Sequence, residues 1–182
     1  MNTYIAFLRG VNMTGHNSMK MKDLSLLFTG LGIRENKTYI QSGNVIFKAD
    51  DQVSEEELAD LIEAGIYRKF KYEIPAMIRN IEELKGLFKI NPYLSEPDFE
   101  PSKMAVIFLH DILSDSQADK MININYPPDK YQLSGREIFI YCPNGFGRTK
   151  LYTNFFEGKM GVTGTARNWK TITTILDLAE NF

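Results

Sequence analysis

The order of strand-like and helix-like segments constrains the fold of this chain more than any other feature. An apolar run at 4–8 predicts a buried strand, and the glycine- and asparagine-bearing stretch at 10–18 predicts a loop after it. A helix is then expected, because apolar residues recur every three or four positions, at Leu24, Leu27, Phe28 and Leu31.

Two more strands, a helix and a further strand complete this first pattern. The strands at 38–41 and 45–48 flank a tight turn, and Ser54 with Glu57 forms a capping box that opens the second helix. A fourth strand is predicted at 74–78. The order β-α-β-β-α-β is that of the ferredoxin-like fold, in which two helices pack on one face of four antiparallel strands.

A similar order follows in the second half of the chain. Asn80 and Glu83 offer a capping box for a short helix, and the proline-rich, acidic stretch at 91–102 predicts a connector. The remaining elements are predicted as a strand at 104–109, a helix at 114–122, strands at 131–133 and 137–141, and helices at 151–156 and 169–178.

Two segments of the halves also agree residue by residue. Residues 39–47 and 131–139 both match Y-x-x-S-G-x-x-I-F, and Phe-Leu occurs at 7–8 and again at 108–109. We therefore predict an α+β protein with a ferredoxin-like βαββαβ lobe at 1–80, a short helix and connector at 81–102, and a second, related α+β lobe at 103–182. Chance agreement between two hairpins of similar composition is the alternative.

The overall charge restricts the classes of partner. A net charge of −2 and a pI near 5.8 give no long-range attraction to nucleic acid or to anionic membranes, so an anion site must be local. Cys142 is the single cysteine, the first residues lack the features of a secretion signal, and no apolar run is long enough to span a membrane. We expect a cytoplasmic protein without a membrane partner.

Three polar segments are candidates for binding. The first contains Arg9, Asn12, Lys20 and Lys22, with no acidic residue before Asp23. A long loop that leads from a strand into a helix N-terminus can hold an anion with backbone N–H groups and basic side chains. The alternative is that Arg9 and Asn12 only hold the loop in place.

The second segment, 144–150, follows a predicted strand and precedes a helix. It contains two glycines and then Arg148, Thr149 and Lys150, which are the residue types of a phosphate-binding turn. It is not a Walker P-loop, because Gly147 is followed by arginine where that motif has lysine. A glycine-rich turn with a solvated basic rim is the alternative.

The third segment, 164–171, is predicted to enter the last helix. Arg167 and Lys170 would then lie near a helix N-terminus, where the dipole favours anions over cations, so they would serve a bound anion or an acidic partner. In the alternative, Trp169 packs on the core and the charges extend to water.

No pattern indicates a metal site, a cofactor or a catalytic residue. His16 and His110 lack the spacing to other ligands that zinc sites show. Cys142 precedes Pro143 at a strand end without any feature of a low-pKa nucleophile, which favours a structural thiol.

Four segments resemble a bacterial family known as domain of unknown function 1697. They are 4–12, 38–45, 147–151 and 165–169, and they follow one another in the order of the family. Ten residues fall on its motifs: Arg9, Asn12, Gln41, Ser42, Asn44, Arg148, Lys150, Arg167, Asn168 and Trp169.

The resemblance implies a bacterial-type α+β protein with ferredoxin-like character and no established activity. The chain departs from the family's pattern in the first loop, at Met13, Thr14 and His16, and again at Lys170, where the family usually has asparagine. The exact chemistry of that loop is therefore not implied.

Three functions remain open. The leading hypothesis is a small-molecule binding protein, or an enzyme, whose site gathers basic and polar side chains around a phosphate or carboxylate, namely Arg9, Asn12, Arg148, Lys150 and Arg167. The second is single-stranded nucleic-acid binding on the strand aromatics Phe7, Phe47, Phe108 and Phe139, although the acidic pI and the absence of an RNP-type motif oppose it. The third is a non-catalytic interaction or oligomerisation module.

Overall fold

The structure, a computed structural model, describes residues 1–13 and 15–182. Thr14, one of the departures from the family pattern, lies outside the described residues. The chain divides into two compact units, Met1–Lys85 with Thr174–Phe182 and Gly86–Thr173. Among the described residues, no helix combines the length and apolar character needed to cross a membrane.

The first unit has the βαββαβ order that the sequence predicts. Its elements are β1 (Asn2–Leu8), α1 (Met21–Gly30), β2 (Asn36–Tyr39), β3 (Asn44–Ala49), α2 (Glu55–Phe70) and β4 (Ala76–Asn80), after which α3 (Ile81–Ile90) begins. All neighbouring strands are antiparallel, in the order β2-β3-β1-β4. This arrangement confirms the ferredoxin-like prediction.

The core of this unit lies between the sheet and helices α1 and α2. Tyr4, Ala6 and Leu8 face it from β1, since alternate residues of a strand point to the same side, and Phe28 and Ile62 contribute from the helices. Ser54 caps α2 by accepting from the Glu57 backbone N–H while the Glu57 side chain accepts from the Ser54 N–H, as predicted.

The second unit repeats the same order of elements. It contains β5 (Met104–Leu109), α4 (Asp115–Ala118) continued by a 3₁₀ turn (Asp119–Met121), β6 (Lys130–Ser134), β7 (Glu137–Tyr141), α5 (Thr153–Met160) and β8 (Gly164–Asn168), followed by α6 (Trp169–Glu180). Its antiparallel sheet has the order β6-β7-β5-β8. The prediction of two similar α+β lobes is therefore confirmed at the level of topology.

Equivalent contacts in the two units support the repeat more strongly than the hairpin motif does. Glu63 accepts from the first backbone N–H of β4 at 2.8 Å, and Glu157 accepts from that of β8 at 3.0 Å. Arg79 and Arg167 are the equivalent buried arginines of these strands, since they pair with Ile5 and Val106.

The sequence alignment of the two hairpin motifs differs by one residue from the alignment that the strand pairing gives. The Leu8 N–H donates to the Gly43 carbonyl, whereas the Leu109 N–H donates to the carbonyl of Arg136. The sequence motif instead aligns Gly43 with Gly135. The identical residues of the motif therefore do not occupy equivalent positions in the two hairpins.

Strand β8 is an element that the sequence reasoning missed. The segment was expected to lead into a helix, but residues 164–168 pair with β5, and the helix begins at Trp169. The strand buries Gly164, Thr165 and Arg167 and exposes Ala166, so the apolar alternation that would predict a strand is absent. The helix expected at 114–122 is also shorter, because only Asp115–Ala118 is α-helical.

Single substitutions of Gly43 and Gly135 by alanine should distinguish the destabilisation caused by steric overlap from that caused by backbone strain. Both glycines have positive φ, but a Cβ on Gly43 would lie 2.9 Å from the Leu8 Cβ, whereas one on Gly135 would meet nothing within 4 Å. We expect Gly135→Ala to lower the free energy of unfolding by roughly 1 kcal/mol and Gly43→Ala by roughly 3 kcal/mol. Equal losses in urea denaturation would contradict the close packing at Gly43.

Candidate functional site

Asn12 in the first unit is fully engaged in holding its own loop. Its Nδ2 donates to the carbonyls of Met19 and Gln41, at 2.9 and 2.8 Å, and its Oδ1 accepts from the Met19 N–H at 2.7 Å. These three bonds use both amide hydrogens and the side-chain oxygen. They support the interpretation that Asn12 fixes the loop.

The other first-unit candidates lie around the same turn. Asn44 is fully buried and donates from Nδ2 to the Tyr39 carbonyl at 3.1 Å and to the Ser42 Oγ at 2.9 Å. Arg9 follows β1, and its backbone N–H donates to the Pro75 carbonyl at 3.0 Å. Arg9, Asn12, Gln41, Ser42 and Asn44 therefore belong to one loop and hairpin, and the bonds of the two asparagines stabilise that fold.

The second unit contains a cavity of about 570 Å³ beside the loop that joins β7 to α5. Two turns form its walls, and the lining residues are Lys103, Tyr126, Pro127, Pro128, Asp129, Pro143, Asn144, Gly145, Arg148, Thr149 and Lys150. Its size falls in the usual range for a small-molecule site. Two of the sequence-predicted residues, Arg148 and Lys150, thus meet at one cavity.

The charge of this cavity is opposite in sign to that of the whole chain. Lys103, Arg148 and Lys150 supply three bases against one acid, Asp129, whereas the chain has a net charge of −2. The Lys103 Nζ donates to the Pro143 carbonyl and also lies 3.9 Å from the Glu100 Oε1, and the Lys150 Nζ lies 5.2 Å from the centre of the Tyr126 ring. A local concentration of positive charge of this kind attracts anions despite an acidic pI.

Arg148 is the base with the greatest capacity to bind a ligand here. It is exposed, and within residues 1–13 and 15–182 its guanidinium makes no hydrogen bond or ion pair. Its five N–H donors are therefore open to solvent or to a ligand, and their planar arrangement suits two oxygens of one phosphate or carboxylate.

The loop that carries Arg148 is held by backbone contacts at its start. The Cys142 N–H donates to the Lys103 carbonyl and the Gly145 N–H donates to the Cys142 carbonyl, both at 2.8 Å. Gly145 has φ of 79°, a left-handed conformation that glycine adopts without strain. At the other end of the loop, the Thr149 Oγ1 accepts from the Leu151 N–H at 3.0 Å.

Cys142 lies buried next to the lining residues of this cavity. Burial raises the pKa of its thiol, a hydrogen bond with Thr149 acts in the opposite direction, and the Asp129 carboxylate raises the pKa further. Because the thiolate is the nucleophilic form, this environment suits a structural thiol.

The residues of the third segment lie elsewhere in the second unit. Arg167 is 7% exposed within β8, where its Nη1 donates to the Thr165 Oγ1 and the Ala166 carbonyl, both at 2.8 Å. Desolvation lowers its pKa to about 10. Arg167 thus lies in a strand and not in a helical first turn, which corrects the interpretation based on the helix dipole.

Asn168 and Trp169 form the junction between β8 and α6. The Asn168 Oδ1 accepts from the Thr171 N–H at 2.8 Å, which caps α6. Trp169 is almost fully buried, and its ring centre lies 4.7 Å from that of Phe88. None of Arg167, Asn168 and Trp169 lines the cavity that contains Arg148.

The convergence of the five leading candidates stays a prediction. Arg9 and Asn12 belong to the first unit, and Arg148, Lys150 and Arg167 belong to the second. Sequence reasoning identified Arg148 and Lys150 but missed Lys103, Tyr126 and Asp129. The only local signals for the missed wall are the adjacent prolines at 127 and 128, which indicate a turn without indicating what it faces.

Comparison with protein families places the chain in a known group. The family model described as "Protein of unknown function (DUF1697)" matches residues 1–139. The chain belongs to the DUF1697 family. The matched range includes Lys103, Tyr126 and Asp129, whereas Arg148 and Lys150 lie beyond it.

A solved structure extends the similarity to the fold of the whole chain. The conserved bacterial protein SP0830 from Streptococcus pneumoniae is 20% identical in sequence to this chain. The superposition covers 99% of each chain and has a TM-score of 0.79. At this identity the likeness concerns the fold alone. No curated protein matches this member of the DUF1697 family at a significant level.

The burial of Cys142 predicts slow modification by a thiol reagent. At pH 8 we expect the native thiol to react with DTNB roughly a hundredfold more slowly than the thiol of the chain unfolded in urea, because reaction requires local opening. A single cysteine makes the released thiolate absorbance unambiguous. Similar rates for the native and unfolded chains would contradict the buried, protonated thiol.

Proposed function

We propose that this DUF1697 protein binds a small ligand with a phosphate or carboxylate group in the cavity beside the β7–α5 loop. The exposed Arg148 guanidinium, which has no partner among the described residues, is the observation that carries the proposal. Lys150 lines the same cavity and adds positive charge to it, and Lys103, which is paired with Glu100, also lines it. Arginine would supply two directed hydrogen bonds, and the lysines would act as point charges.

The backbone supports the same role without adding to the charge. Gly145 lines the cavity and has no side chain, so the loop carries little bulk at that point of the cavity wall. A Cβ on Gly145 would meet nothing within 4 Å. The loop could therefore approach a ligand closely, as glycine-containing anion-binding loops do.

Burial of the strand aromatics weighs against nucleic-acid binding. Phe7, Phe47, Phe108 and Phe139 all have 0% exposure, whereas a base must reach the face of a ring in order to stack on it. The interaction-module hypothesis would be favoured by an open apolar sheet face, but Ile5 and Val106 in the two central strands are also fully buried. The anion-binding proposal has the more specific support.

Removal of the Arg148 side chain tests the proposal. We expect orthophosphate to bind the wild type in isothermal titration calorimetry, and Arg148→Ala to weaken its binding by roughly 10- to 100-fold, because charge-assisted hydrogen bonds are lost. Arg34→Ala is the matched control, since Arg34 is an exposed arginine of the first unit and its loss changes the net charge equally.

The outcomes separate a local site from a general charge effect. Weakening by Arg148→Ala alone would support the cavity as the site. Equal weakening by the two substitutions, or wild-type chain that binds neither orthophosphate nor acetate at millimolar concentration, would overturn the proposal.

A further inference from the structure

The acidic group in the cavity narrows the class of ligand. Asp129 is the one acid among the lining residues. Its carboxylate interacts with the Cys142 thiol, and within the described parts of the chain it forms no ion pair with a lysine or arginine. A ligand that consists only of an anionic group would be attracted by Arg148 and repelled by Asp129. The cavity therefore suits a ligand that also brings hydrogen-bond donors.

Neutral polar groups accompany the carboxylate. Asn144 and Thr149 line the same cavity, and their amide and hydroxyl groups can both donate and accept. Hydroxyl groups of a ligand are suitable partners for all three side chains, and an O–H bond to a carboxylate is among the stronger hydrogen bonds. The dianionic phosphate group of a phosphate ester has no O–H donor.

The remaining walls fit a ring with apolar C–H faces. Pro127, Pro128 and Pro143 line the cavity together with Tyr126, so four ring side chains share its wall with the polar groups. The cavity of about 570 Å³ is also much larger than one phosphate group requires. Specific binding at such a site combines contact with apolar rings and a few placed polar groups.

We propose that the ligand is a sugar phosphate, with its phosphate at Arg148 and Lys150 and its hydroxyl groups at Asp129 and Asn144. This inference rests on the proposed anion site and adds the chemical class of the ligand. The ring carbons of the sugar would contact the proline and tyrosine walls. Charge-assisted bonds to Asp129 would give the sugar phosphate an advantage over free phosphate.

The substitution Asp129→Asn distinguishes this role from a structural one. It keeps the size of the side chain and removes its charge, so the repulsion of orthophosphate is relieved while the carboxylate bonds to sugar hydroxyls are lost. By calorimetry of the intact chain, we expect orthophosphate to bind several-fold more tightly and ribose 5-phosphate about tenfold more weakly. A merely structural effect would change the two affinities in the same direction.

The comparison among ligands uses orthophosphate, ribose 5-phosphate and unphosphorylated ribose. The wild type should bind ribose 5-phosphate about tenfold more tightly than orthophosphate, and ribose should bind weakly because it lacks the anion. Asn144→Ala, at an exposed loop position, is a second variant that should weaken binding of ribose 5-phosphate by a larger factor than binding of orthophosphate. The Asn144→Ala variant tests the contacts to the sugar if the Asp129→Asn variant does not fold.

The outcomes distinguish failure of the ligand class from failure of the site. Equal wild-type affinities for orthophosphate and ribose 5-phosphate, both weakened by Arg148→Ala, would overturn the sugar-phosphate inference and leave the anion site intact. Binding of neither compound, or binding of both that is insensitive to Arg148→Ala, would overturn the site and the inference together.

Discussion

Each unit depends on a central strand that is buried on both faces and paired on both edges. In β1, Ile5, Ala6, Phe7 and Leu8 have 0% exposure, and the strand lies between β3 and β4. Strand β5 has the same place between β7 and β8. Burial of apolar side chains on both faces stabilises these strands, and their backbone groups are hydrogen-bonded at both edges. The hairpins and helices are therefore arranged around them.

The shared topology leaves the chemistry to the connections. The connection from β3 to α2 contains Asp50 and Asp51 and leads into a helix whose first turn is acidic. The equivalent connection from β7 to α5 contains Arg148 and Lys150. Two copies of one fold thus have opposite charge at the same topological position, and the anion-binding proposal concerns only the second, in keeping with the general independence of fold and function.

Local patterns were sufficient to predict most elements but not the site as a whole. The Ser54–Glu57 capping box and the apolar periodicities depend on neighbours in sequence, and both led to correct elements. Strand β8 was missed because two of its buried residues, Thr165 and Arg167, are polar. Similarly, Asp129 and Arg148 belong to different turns, which the fold brings to one cavity. No local sequence signal therefore relates the two residues.

The proposed function depends on the binding of an anion beside the β7–α5 loop. Titration of the ¹⁵N-labelled chain with orthophosphate, followed by NMR, tests it most directly, since amide shifts report the position of a ligand. We expect the largest shifts to fall together on the 144–150 loop and on Tyr126 and Asp129, since Tyr126, Asp129 and most residues of that loop line the cavity. Shifts concentrated on 9–22 of the first unit, or no shifts at millimolar phosphate, would contradict it.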